Sequence, residues 1–157
     1  MKIKVLFICI HNAARSQIAE ALLKKFGGEK YEVASAGYLP TTINPLVVKI
    51  MQEEGVDLSE KKTQSVFSLI QAGNFYGYVI TVCNRAKETE CPVFPGVTKK
   101  LHWDLEDPED YAGTEEEKLD KIRALKDRIK QLVLDFINEH DEARLNALNK
   151  SQLNCNL

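Results

Sequence analysis

The chain has 157 residues, 44% of them hydrophobic and 28% charged, with a formal net charge of -2. That is ordinary globular composition, enough for one domain with a sizeable core, and it gives no electrostatic basis for binding nucleic acid or an anionic membrane surface. Four cysteines do not make a disulfide scaffold at this length, and no basic-plus-apolar leader or run of spanning length is present, so a cytoplasmic protein is expected.

Residues Ile3 to Ile8 are short, apolar, branched and aromatic, which predicts a buried strand. A helical pattern begins near Ala14 and puts Ile18, Ala19, Leu22, Leu23 and Phe26 on one face. Gly27 and Gly28 stop it. Between strand and helix lies Cys9-Ile10-His11-Asn12-Ala13-Ala14-Arg15-Ser16. A loop in this position binds anions, because free backbone N–H groups and the positive end of the helix dipole converge on it. The residues from His11 to Ser16 are the expected oxyanion-binding set: His11, Asn12, Ala13, Ala14, Arg15 and Ser16. The same field favours a thiolate nucleophile at Cys9. Arg15 can fold back and offer its planar fork to two oxygens of a tetrahedral oxyanion, and Ser16 can donate a hydroxyl to the sulfur. The bare Cys-x5-Arg spacing is weak on its own; the strand–loop–helix context makes it specific.

Further along, Tyr31 to Ala36 alternates like a short strand ended by Gly37. Asn44 and Pro45 form a helix start, cap and first residue, followed by Leu46, Val47, Ile50 and Met51 on an apolar face. Ser65 to Ala72 reads as a short helix, Tyr78 to Val82 as a buried strand ending at Cys83, and Lys100 to Trp103 as a less apolar strand. Thr114-Glu115-Glu116-Glu117 is a capping box that opens a long helix, with Leu119, Ile122, Ile129, Leu132, Val133, Phe136 and Ile137 inward. The order β-α-β-α-α-β-β-α predicts a single-domain, three-layer α/β/α fold with a parallel four-stranded sheet. Residues 1–140 form that domain. From about Asp141 a polar, asparagine-rich tail (141–157) is expected to be a frayed helix extension or disordered, and Cys155 an incidental exposed thiol.

Two further clusters lie where the carboxyl ends of the strands should face one crevice. Cys83 and Cys91 stand eight positions apart in a polar segment. They admit three roles: a strand-end cysteine beside an incidental one, a metal site recruiting His102 at a wide spacing, or a redox pair. Pairing needs Cα atoms within about 7 Å, whereas eight helical residues span about 12 Å, so a helical segment there must unwind first. Asp107, before Pro108, is placed to act as a general acid toward a departing oxygen; Glu106 and Asp104 are its rivals.

The Cys9–Gln17 loop, Ser35-Ala36-Gly37, Asn44-Pro45, Thr81-Val82-Cys83, Cys91-Pro92, His102-Trp103 and Asp107-Pro108 come in the order of a known family. Over roughly residues 1 to 138 the chain resembles thioredoxin-coupled arsenate reductases built on the low-molecular-weight tyrosine phosphatase fold. The resemblance implies a relay. Cys9 attacks arsenate held by the loop amides and Arg15, and Asp107 assists departure of an oxygen. Cys83 attacks the Cys9 adduct and arsenite leaves. Cys91 then takes the disulfide from Cys9–Cys83 to Cys83–Cys91, and thioredoxin reduces it. Phosphate and sulfate would act as oxyanion mimics, and no tightly bound cofactor is implied.

The loop carries His11 and Ala13-Ala14 where some relatives have a Gly and a Ser-Cys pair. Loops of this His-Asn-Ala type also occur in members using small thiols with glutaredoxin, so the donor rests on Cys83 and Cys91 together. Some relatives bind potassium through residues that here are Asn12, Glu20 and Ser35; the acidic partner is missing at Ser65, and no metal is expected. The alternative on the same fold is a low-molecular-weight protein tyrosine phosphatase. It would hydrolyse phosphate monoesters through a Cys9 phosphoenzyme, with Tyr38 or Tyr111 supplying an aromatic wall. A non-catalytic oxyanion sensor would lack the reacting groups that this chain retains.

Overall fold

The structure is a computed structural model and describes residues 2–84 and 98–155. Four parallel strands form one sheet: β1 (Ile3–Cys9), β2 (Tyr31–Gly37), β3 (Tyr78–Val82) and β4 (Lys99–Trp103), in the spatial order β2-β1-β3-β4. Because β1 has a neighbour on each side, Val5, Leu6, Phe7 and Ile8 are fully buried, as a continuous apolar run requires. Val5 and Phe7 pack with helices α1 (Arg15–Gly27), α2 (Pro45–Glu53) and α4 (Glu115–Cys155). Leu6 and Ile8 face the other way, toward Val66 and Leu69 of α3 (Val66–Gln71). The three layers follow directly from strand alternation.

Sequence order reverses across β1: β2 is added on one side and β3 on the other. In open α/β sheets the ligand crevice lies outside the carboxyl ends of the strands at such a switch point. The β1–α1 loop opens there.

The predicted element ends shift by a residue or so. Asn44 caps α2, its Oδ1 accepting from Leu46 N at 2.9 Å. Thr114 Oγ1 accepts from Glu117 N at 3.2 Å and starts α4. Helix α4 buries Ile122, Leu125, Ile129, Val133 and Phe136 at spacings of three and four, then continues past residue 140 as far as Cys155. Phe26, expected on the inner face of α1, sits at the rim at 36% exposure, with the ammonium groups of Lys25 and Lys130 over its ring. No helix of the described residues is long and apolar enough to cross a membrane.

One glycine is fixed by close approach. A Cβ at Gly37, the last residue of β2, would lie 2.8 Å from both Asn12 N and Ile10 O of the β1–α1 loop. Backbone atoms on both sides cannot yield cheaply. Gly37→Ala is expected to lower the unfolding free energy by about 2 kcal/mol, the ordinary cost of overpacking. Urea denaturation checks this, and unchanged stability would show that the loop can yield to the added methyl.

Candidate active site

The segment from Cys9 to Arg15 is held by its carbonyl side. Tyr38 N bonds Cys9 O, Leu39 N bonds Ile10 O, Thr41 N bonds His11 O and Asn44 N bonds Ala13 O, at 2.8 to 3.3 Å. Residues 38–44 therefore take up the outward-facing carbonyls of the loop. On the inner side, Asn12 N donates to Cys9 Sγ at 3.1 Å. No side chain caps α1, whose N-cap is Ala14. The two alanines thus leave the first-turn N–H groups to an anion.

Asn12 is the only described non-glycine residue with a positive φ, at 54°. Asparagine tolerates this region because its short polar side chain finds local partners. Here the partners are many, and Asn12 is fully buried. Its Oδ1 accepts from Gln17 Nε2 at 2.9 Å and Gln64 N at 3.1 Å. Its Nδ2 donates to Ser16 Oγ at 2.8 Å and Ser35 Oγ at 2.9 Å. With one lone pair of Ser16 taken by Asn12, the Ser16 hydroxyl hydrogen is available to Cys9 Sγ at 2.9 Å. The sulfur is thus met by a hydroxyl and an amide donor, the environment of an acceptor thiolate. Cys9 is 2% exposed and is a free thiol.

Arg15 starts α1 and is 2% exposed. Its NH1 donates to Leu105 O at 3.2 Å and its NH2 lies 3.2 Å from Asp107 Oδ2. The other oxygen of Asp107 accepts from Glu109 N at 3.0 Å and so caps the 3-10 turn Pro108–Asp110. Of the three carboxylates that compete in the sequence, Asp107 is the one lining the cavity. The Asp104 side chain is 64% exposed, 3.9 Å from His102. Glu106 accepts a hydrogen bond from Tyr111, whose phenol is pushed up to about 12 by burial and by that carboxylate. His11 lines the cavity, and its Nδ1–H donates to Leu39 O at 3.1 Å, which fixes that tautomer.

The cavity encloses about 300 Å³. Its base is Cys9, Ala13, Ala14 and Arg15; its rim is Thr41 to Pro45 facing Asp107 and Glu109. Among the described residues no Phe, Tyr or Trp side chain lines it; His11 is its one aromatic ring. Tyr38 instead packs on Phe67, with ring centroids 5.2 Å apart, and Tyr111 lines a separate pocket with Glu106 and Lys121.

Cys83 lies just past β3, fully buried and disulfide-bonded, at the same sheet edge as Cys9. Cys91 falls outside the described residues. The oxygens that relatives are expected to offer potassium are engaged internally. Asn12 Oδ1 accepts twice, and the Glu20 carboxylate, 3% exposed, is paired with Lys61 at 2.8 Å and Lys24 at 3.7 Å. An ammonium group already supplies the positive charge, so the set does not fit a bound cation. Gln17, Gln64, residues 41–43, Asn44 and Glu109 are not among the expected site residues; of these Gln17 carries a signal only as the end of the loop motif, and Asn44 only as a helix cap and part of the Asn44-Pro45 motif.

The Ser16 hydroxyl has a direct consequence. Ser16→Ala is expected to slow alkylation of Cys9 by iodoacetamide at neutral pH about tenfold, the value of one hydrogen bond to a charged sulfur. An unchanged rate would mean that Ser16 serves only the network below the loop.

The profile of the low molecular weight phosphotyrosine protein phosphatase family matches residues 4–151. An arsenate reductase of Halalkalibacterium halodurans is 35% identical over 133 residues, covering 84% of this chain and 93% of that protein. A solved arsenate reductase in its phosphate-binding state superposes with a TM-score of 0.71 at 30% identity, covering 88% of this chain and 98% of that one. A thioredoxin-dependent arsenate reductase of Corynebacterium glutamicum superposes with a TM-score of 0.59 at 37% identity, covering 88% of this chain and 63% of that one.

Proposed function

The chain belongs to the low molecular weight phosphotyrosine protein phosphatase family, and we propose that within it this protein is an arsenate reductase working through Cys9, Cys83 and Cys91. The supporting observation is the pairing of two differently placed cysteines at one sheet edge. Cys9 is a free thiol in an anion cavity, and Cys83, at the end of the adjacent strand, is already engaged in a disulfide. Ester hydrolysis has no use for Cys83; thiol–disulfide exchange requires a second sulfur there.

The reaction balances as follows. Arsenate enters the cavity as a tetrahedral anion held by loop N–H groups from His11 to Ser16 and by the Arg15 fork. The Cys9 thiolate attacks arsenic. Asp107 protonates the departing oxygen, which leaves as water, and an S–As(V) bond remains. In the protein first reduced at its disulfide, the Cys83 thiolate attacks Cys9 Sγ, a Cys9–Cys83 disulfide forms and the S–As bond breaks. The bonding pair stays on arsenic, which leaves as arsenite. Cys91 attacks Cys83, releasing Cys9 as a thiolate and leaving a Cys83–Cys91 disulfide. A dithiol donor of the thioredoxin class restores the two thiols, in keeping with the thioredoxin-dependent relative. A relay recycled by thioredoxin suits a reducing compartment such as the cytoplasm, the location this reading assigns to the protein.

Arsenate-dependent NADPH consumption in the presence of thioredoxin and thioredoxin reductase tests this directly. The wild type is expected to turn over, and both Cys9→Ser and Cys83→Ser to lose turnover completely. Asp107→Asn is expected to slow the first step about 100-fold, as loss of a general acid does. If the wild type consumes no NADPH with arsenate yet, like Cys83→Ser, hydrolyses an aryl phosphate, the protein is a phosphatase. Arsenite formed only with a small thiol and glutaredoxin would replace the donor and keep Cys9 in place.

A further inference from the structure

We infer that Glu109 is a specificity-determining residue, which with Asn44 straps the cavity mouth so that it admits inorganic tetrahedral oxyanions and rejects their organic esters. The inference rests on the arsenate reductase reading of the site, and it names the group that restricts the site to the unsubstituted anion.

The strap joins two parts of the chain that are separately anchored. Asn44 Nδ2 donates to Glu109 Oε1 at 3.2 Å across 65 positions of sequence. On one side, Asn44 is fixed at three points: its N–H bonds Ala13 O of the anion loop, its Oδ1 is held by Leu46 N, and its carbonyl accepts from Val47 N. With Oδ1 committed, the amide must present Nδ2 outward, toward Glu109. On the other side, Glu109 N donates to Asp107 Oδ1, in the same turn that presents Asp107 Oδ2 to Arg15. The strap therefore runs from the carboxylate turn that contacts Arg15 to the segment that pins the anion loop. Both of its ends line the cavity.

Its position decides what fits. An inorganic oxyanion lies wholly on the cavity floor, between Cys9 and Arg15. A monoester must run its organic group out past the carboxylate that protonates the leaving oxygen, since that oxygen bears the substituent. Asp107 and Glu109 are two residues apart on one turn, so this exit passes under the strap. An aryl group following it meets a carboxylate and a carboxamide, and among the described residues the lining offers no Phe, Tyr or Trp ring to stack on. Opening the strap breaks the Asn44–Glu109 bond, so discrimination comes from an obstacle to the ester as much as from contacts to the anion.

Steady-state hydrolysis of p-nitrophenyl phosphate, with inorganic phosphate as competitive inhibitor, separates the two ligand classes on one protein. For Glu109→Ala the ratio of kcat/KM for the ester to affinity for inorganic phosphate is expected to rise about tenfold or more, carried by KM. Glu109→Gln keeps an oxygen for Asn44 Nδ2 and should stay close to wild type in that ratio. A ratio within about twofold of wild type for Glu109→Ala would overturn the inference. So would an equal rise for both variants, which would make the effect one of charge. Inhibition by phosphate reports folding of each variant. None of these readouts passes through arsenate reduction. Failure of the NADPH assay in the wild type would therefore overturn the reaction while leaving the strap to stand or fall on the ratio.

Discussion

The β1–α1 loop depends on giving its carbonyls to residues 38–44. An anion cradle made of backbone must turn several consecutive N–H groups to one side, and the carbonyls then face the other side and need donors. Tyr38, Leu39, Thr41 and Asn44 supply them. The rest of the architecture serves that pairing. Gly37 lets β2 approach within contact distance of the loop, the switch between β1 and β3 leaves the crevice open, and Asn12 takes the left-handed position within the loop. Free energy spent on ordering this segment is recovered in binding, because the donors need no reorganisation when the anion arrives.

Beneath the loop, Asn12 couples the geometry of the cradle to the chemistry of the sulfur. Its amide ties Gln17, Gln64, Ser16 and Ser35 into one buried network, and through Ser16 the network ends on Cys9 Sγ. Such a network is stabilising only when its members are satisfied, which ties the thiolate environment to correct folding of β2 and the α3 approach. The same loop therefore binds the oxyanion and orients the nucleophile. Phosphate esters and arsenate share that requirement, and what separates their chemistry lies at the edges: Cys83 beyond β3, and the rim contributed by residues 41–45 and 109.

Local features were legible in the sequence. Strand β1 showed as a six-residue apolar run, α2 as Asn44-Pro45, and α4 as a capping box with threes and fours of apolar residues. The cysteine–arginine loop fell between a strand and a helix where one such loop belongs. Long-range partners were not legible. Nothing near Arg15 in sequence points to Leu105, ninety positions away, and nothing near Asn12 points to Gln64, fifty-two away. Glu109 reads as one of several acidic residues around a turn until the fold brings it to Asn44. The Lys61 ammonium likewise reaches Glu20 only through tertiary packing, and this pairing argues against a bound cation more directly than the serine at position 65. Phe26 shows the limit of periodicity: the pattern assigns a face, but at the end of α1 that face is partly exposed and the ring meets the ammonium groups of Lys25 and Lys130.

The central claim is that Cys9 is the nucleophile whose arsenic adduct is resolved by Cys83. Disulfide mapping by mass spectrometry of fully reduced Cys91→Ser protein, after one equivalent of arsenate, tests it most directly. The relay predicts one arsenite released per chain and a peptide pair joined through Cys9 and Cys83. Arsenite formed without that pair, or a Cys9 that stays free while arsenate is consumed, would contradict it.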